Sequence, residues 1–147
     1  MAITFYSEGV NIPKFRRREV SRWITDVAAS YGREIGEVTY LFCDDEKILE
    51  MNNKYLGHDY YTDIITFGQG VDDLLFADIV ISLDTVASNA EKYGQRFETE
   101  LLRVIIHGIL HLCGEDDLDD ESEAKMRVAE NRALSMLSED QSEMWRK

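Results

Sequence analysis

The chain has 147 residues, a formal net charge of −13 and a pI near 4.5, with 44% hydrophobic and 31% charged residues and a single proline, a balance that describes one globular domain over residues 1–147 and excludes a disordered chain. Charges break every apolar run well short of the roughly 20 residues a membrane span needs, and the start MAITFYSEGV lacks the basic opening and apolar stretch of a secretory signal. With only Cys43 and Cys113 there is no disulfide framework, so a cytoplasmic location is expected.

Alternation over residues 3–6 predicts a first strand. Asn11 and Pro13 carry the signals of a helix start, and Gly32 those of its end, so a first helix is expected from there to Tyr31. Residues 38–42, Val-Thr-Tyr-Leu-Phe, read as a second strand. A helix capped by Asp44 or Asp45 follows, bearing Ile48, Leu49, Met51, Tyr55 and Leu56. Residues 64–67 predict a third strand, 68–73 an acidic loop and 76–81 a fourth strand.

From Asp84 the pattern turns helical. One helix stops at Gly94; a second, from about 98 to 113, is apolar on nearly every side and is therefore a core helix. Asp119 or Asp120 caps a last helix over 121–137. Strands early and helices late, with too few βαβ units for a doubly wound sheet, predict an α+β fold with a small mixed four-stranded sheet packed by helices.

Charge is uneven along the chain. Residues 1–33 carry +3 and the remainder −16. The net charge argues against nucleic-acid binding by bulk electrostatics, whereas a local basic face on an acidic body remains open. Lys14, Arg16, Arg17 and Arg18 could track a phosphate backbone, or simply form the solvated face of a helix.

The core helix carries the chemistry. His107 and His111 lie four apart, so both imidazoles leave one face and can share a metal ion. Gly114 lets the chain double back, and Asp117 can bring a carboxylate to the same ion. Two imidazoles, one carboxylate and a water suit a catalytic Zn²⁺ in a zincin-like arrangement, although the same donors suit Fe(II), and histidines satisfied within a core are the plainer alternative. Gly108 stands where zinc peptidases place a general base, which argues against peptide hydrolysis. The proton acceptor is then borne by the substrate or is Glu115 or Asp116. Cys113 points away from His111 and belongs to packing, while Asp63 and Asp78 could orient a ligand imidazole from behind.

The run His107-Gly108-Ile109-Leu110-His111-Leu112-Cys113-Gly114-Glu115-Asp116-Asp117 resembles the H-G-x-L-H-L-x-G-Y-D-H hallmark of the YbeY family of bacterial endoribonucleases. Asn52, Tyr55, Asp59, Thr62, Asp63 and Phe67 are similar to a second family segment, residues 76–82 to a third, and Arg103, Met126 and Glu130 to its flanking pattern. The resemblance spans residues 37–137. It implies a zinc-dependent nuclease of single-stranded rRNA, acting in rRNA maturation and ribosome quality control with the ribosomal subunit or its proteins as partners, and neither DNA nor a membrane. A ribosome assembly factor with little nuclease activity, or a metal hydrolase of another substrate, is the alternative. Asp117 stands where the family has its third histidine, Glu115 where it has tyrosine, and Leu56 where it has arginine. Either Lys54, His58 or one of the basic residues 16–18 supplies the missing cation, or the reaction is slow.

Overall fold

The computed structural model describes residues 2–57, 62–116, 118–137 and 141–145, the side chains of 69 and 70 apart. In chain order the elements are β1 (Ala2–Ser7), α1 (Arg17–Ser30), β2 (Glu34–Cys43), α2 (Asp45–Leu56), β3 (Ile64–Val71), β4 (Leu74–Ser82), α3 (Leu83–Lys92), α4 (Phe97–Leu112) and α5 (Asp120–Leu134), followed by a 3-10 turn at Ser142–Met144. The sheet runs β1-β2-β4-β3; β1, β2 and β4 are parallel and β3 is antiparallel to β4. This is the mixed four-stranded α+β architecture expected from the sequence.

One face of the sheet carries Tyr40, Phe42, Leu75, Ile79 and Ile81 into the main core, where they meet Trp23, Ile24 and Val27 of α1 and Leu101, Leu102 and Ile105 of α4. On the other face α2 covers a smaller cluster of Cys43, Ile48, Ile65 and Val80. Helix α4 is rich in β-branched residues, each costing a few tenths of a kcal/mol in helix propensity. Burial of each such side chain returns roughly 1.5–3 kcal/mol, so packing decides the conformation. The helix is also pinned at its middle, where the buried Tyr40 hydroxyl donates to the Ile105 carbonyl at 2.8 Å. The Trp23 indole donates to the Ala133 carbonyl, also at 2.8 Å, and ties α1 to α5.

Two expectations are corrected. The first helix begins at Arg17, not at the Asn11–Pro13 signals, and its N-cap Arg16 makes no side-chain cap. Residues before it are held extended because Phe15 bridges to Trp145 and packs edge-on against Phe5 and Phe42. Aromatic packing overrides the local start signal. Residues 68–71 are strand, not loop, and β3 turns into β4 through Asp72, which takes a left-handed φ of 56°. Gly68 is there for close approach: a Cβ would stand 2.6 Å from the Phe76 carbonyl oxygen and 2.7 Å from the Ala77 Cβ.

Helices α2 and α5 are capped as the sequence predicts. Asp44 accepts from the Lys47 amide at 2.9 Å, and Asp119 accepts from the Ser122 amide at 2.8 Å within a capping box. Among the described residues, no helix is long and apolar enough to cross a membrane.

Candidate active site

Helix α4 is buried against the sheet on one side and lines a cleft of about 700 Å³ on another. Glu100, Arg103, His107 and His111 succeed one another along that cleft face at helical spacing. Asp63 and Thr66 wall it from the β3 side, Asn89 and Tyr93 from α3, and Arg127 and Glu130 from α5. The two histidines expected to act together therefore open onto one space, a helical turn apart.

Gly108 explains how α4 comes so near the sheet. A Cβ there would lie 3.0 Å from Ile79 Cδ1, 3.3 Å from Ile64 Cδ1 and 3.3 Å from Thr66 Oγ1. The position faces the strands, and a side chain there would first meet Ile79, Ile64 and Thr66.

A buried carboxylate organises the site. Nδ1 of His107 lies 2.8 Å from Oε2 of Glu130, and the Arg103 guanidinium donates to Oε1 of the same group at 3.0 Å. The Glu130 side chain is only 8% exposed and that of Arg103 14%. Burial pushes the Glu130 carboxyl up, but the hydrogen bonds and charges of His107 and Arg103 outweigh it and hold the group below the ordinary carboxylate range. An ionised Glu130 makes Nδ1 the nitrogen that carries the ring proton, which sets the tautomer of His107.

Two further carboxyls in the cleft are shifted the other way. Burial raises Asp63, partly opposed by His107, and burial raises Glu100, partly opposed by Arg103. Glu130 and Arg103 were not singled out as site residues from the sequence, although Arg103 and His107 are four apart on one helix face and Glu130 sits on the following helix.

The other expected residues fall into distinct places. Glu115 is turned toward α1, where Oε1 accepts from the Tyr31 hydroxyl at 3.1 Å, and Asp116 accepts from the Leu118 amide at 3.5 Å; neither lines the cleft. Asp78 is corrected as an orienting residue. Strand alternation turns it to the opposite sheet face, into a hollow with Glu37, Thr39 and Phe76. Lys54 lies on α2 with its Nζ 5.3 Å from the Tyr55 ring centroid, while Arg16, Arg17 and Arg18 are exposed at the start of α1; none of these lines the cleft. Asp117 and His58 lie outside the described residues. Among the described residues, no three His, Cys, Asp or Glu side chains are grouped to hold one ion.

A family profile described as Endoribonuclease YbeY matches residues 2–138. The chain is 57% identical over 137 residues to an Endoribonuclease YbeY of Porphyromonas gingivalis, covering 93% of this chain and 91% of that one. It is 55% identical over 136 residues to that of Bacteroides thetaiotaomicron, covering 92% and 99%. The fold is similar to the solution structure of TM1509 from Thermotoga maritima, with a TM-score of 0.63 and 25% identity over 92% of this chain and 91% of that one. Matches of this extent bear out the resemblance carried by the hallmark run: the chain belongs to the YbeY family of endoribonucleases.

Proposed function

We propose that this endoribonuclease hydrolyses single-stranded RNA in rRNA maturation and ribosome quality control, as a single domain over residues 1–147, with one divalent ion held by His107, His111 and Asp117. The observation that carries this reading is the chain of contacts from Arg103 to Glu130 to His107. A ligating imidazole characteristically donates its other ring nitrogen to a carboxylate, and Glu130 accepts from His107 in that manner. Two imidazoles with a carboxylate three residues beyond the Gly114 turn suit zinc with a position open to substrate, which makes α4 a metal-bearing core helix of zincin-like type. When bound, such an ion supplies Lewis acidity to a phosphate oxygen and lowers the pKa of a water.

The chain's own side chains do the rest. Glu130 fixes the orientation of the His107 ring so that Nε2 is its coordinating atom, and Arg103 fixes Glu130. Gly108 faces the sheet and leaves no base directly after His107, which argues against peptide bonds as substrate. Ribosomal RNA within the small or large subunit, or a ribosomal protein beside it, is the proposed partner, in the cytoplasm and without a membrane.

The test is cleavage of a labelled single-stranded RNA by zinc-loaded protein beside an identically purified His107→Ala/His111→Ala control. Cleavage lost only in the control supports the reading. Equal cleavage in both marks a contaminating nuclease and removes the support, and silence in both, with zinc still bound by the unmutated protein, turns the reading toward a partner-dependent assembly factor.

A further inference from the structure

The cleft extends well beyond the two histidines, and its far end is built from different chemistry. Glu100 precedes His107 by seven residues, about 10 Å along the helix axis. It is only 7% exposed, lines the cleft, and among the described residues forms no hydrogen bond or ion pair. Its carboxylate opens onto the cleft, so its oxygens are free to accept from a ligand that enters there.

Two exposed side chains line the same cleft. Tyr93 is the C-cap of α3, four residues before α4 begins, and its side chain lines the cleft while remaining 56% exposed. Gly94, at a φ of 65°, then turns the chain away. Lys92 Nζ lies 5.3 Å from the Tyr93 ring centroid and adds positive charge beside the ring. On the α5 side, Arg127 lies 4.0 Å from Oε1 of Glu130, an oxygen that Arg103 already holds at 3.0 Å, and the Arg127 side chain is 59% exposed. Arg103 is thus committed to orienting Glu130, whereas Arg127 keeps its guanidinium at the mouth. Arg127 and Glu100 line the same cleft.

An exposed aromatic ring, a guanidinium at the mouth and a carboxylate acceptor lining the same cleft are the recognition elements of one unstacked nucleotide. We propose that the Glu100 end of the cleft is a nucleotide subsite for single-stranded RNA, binding the nucleotide that flanks the scissile phosphate. The base stacks on Tyr93, Arg127 holds an adjoining phosphate, and Glu100 accepts from a hydroxyl or N–H of the nucleoside. The subsite rests on the RNA-cutting reading above and extends it: a base must leave its stack to reach Tyr93, so the subsite selects single strands over duplex.

The experiment pairs protein variants with modified RNA. Binding of a labelled single-stranded oligonucleotide is measured by fluorescence anisotropy in the His111→Ala background, and kcat and KM of cleavage in the zinc-loaded enzyme. Tyr93→Ala should weaken binding about tenfold and raise KM with kcat little changed, while Tyr93→Trp retains affinity. In a series of oligonucleotides each lacking one base, a single abasic position should cost the Tyr93 protein the same affinity and cost Tyr93→Ala nothing further. Arg127→Ala should lower the slope of log affinity against log salt by about 0.7, with Arg127→Lys restoring it.

Zinc affinity and thermal midpoint should remain those of the parent in both alanine variants. Unchanged RNA affinity and salt slope in an enzyme that cleaves would overturn the subsite alone. A loss of zinc affinity in Arg127→Ala without a change in salt slope would overturn it too, by showing that the arginine acts through Glu130. An unmutated protein that neither binds nor cleaves RNA would instead overturn the functional reading on which the subsite rests.

Discussion

Replacing Glu130 by glutamine removes one charge and leaves one acceptor oxygen where there were two. Arg103 and His107 now each use a separate carboxylate oxygen, at 3.0 and 2.8 Å. A single amide oxygen can serve only one of them, and the amide nitrogen faces a donor. Breaking a buried ion pair costs about 3–5 kcal/mol when the remaining charge is fully enclosed. Arg103 is 14% exposed and has Glu100 nearby, so solvent and that carboxyl recover part of the loss, and about 2 kcal/mol is expected. For a domain of this size that is a fall in thermal midpoint of about 4–8 °C. The effect also depends on pH. Because the folded Glu130 carboxyl lies below its ordinary value, its contribution is complete above the unfolded pKa of about 4.3 and is lost as pH falls through the folded value, so the two proteins should converge in acid. Loss of the orienting contact should also weaken zinc binding about 10–100-fold in chelator competition. Calorimetry across pH and a zinc titration read both effects. A Glu130→Gln protein with the parent's midpoint at neutral pH and the parent's zinc affinity would refute the assignment.

Gly108→Ala sets a Cβ 3.0 Å from Ile79 Cδ1 in a fully buried region, and although alanine favours helix, a net loss of about 1 kcal/mol is expected in chemical denaturation. Gly68→Ala meets backbone at 2.6 Å rather than a side-chain tip and should cost more, about 2–3 kcal/mol in the same assay. Tyr40→Phe removes the hydroxyl that reaches the Ile105 carbonyl and should cost about 1 kcal/mol, with RNA cleavage unchanged because the contact lies on the sheet side of α4. Alanine at Arg16, Arg17 and Arg18 together should leave cleavage of short oligonucleotides unchanged, since none of the three lines the cleft; a reduced kcat/KM on a short substrate would contradict that placement.

Periodicity was a sound guide wherever burial and local preference agreed. Helix α4 needed no cap signal, since its apolar residues can be satisfied only inside a core, and Asp44 and Asp119 cap as their spacing suggests. The errors lie where a distant partner decides. Residues 11–16 carry a helix start that Phe15 overrides by joining an aromatic cluster built from β1, β2 and Trp145. Gly68 looks like a loop glycine in isolation, yet it serves the close pairing of β3 with β4. The site shows the same division. His107 and His111 announce themselves by spacing within one helix. The carboxylate that holds His107 comes from α5, and no pattern local to α4 distinguishes Glu130 from the other acids of that helix. Asp78 was the more conspicuous candidate, but alternation along β4 sends it to the far face.

The packing of α4 also constrains the chemistry. Leu101, Leu102, Ile105 and Ile109 must meet the core, which fixes the rotation of the helix and leaves the stripe of Glu100, Arg103, His107 and His111 facing the cleft. For the proposed metal site, a rigid helix holds the two imidazoles in register, so little entropy is lost on binding an ion. The same rotation turns position 108 into the sheet, so a base next to His107 could be gained only by disrupting the core at Ile79 and Ile64. Electrostatics follow from this arrangement. With Arg103 bound to Glu130, the cation on the cleft floor is already neutralised, and Asp63 and Glu100 beside it offer a polyanion no attraction. In the proposed subsite an RNA strand is held at the mouth, by groups such as Arg127 and Tyr93 that solvent can reach. Such an arrangement lets a chain of net charge −13 engage a polyanion through a few exposed groups at one cleft.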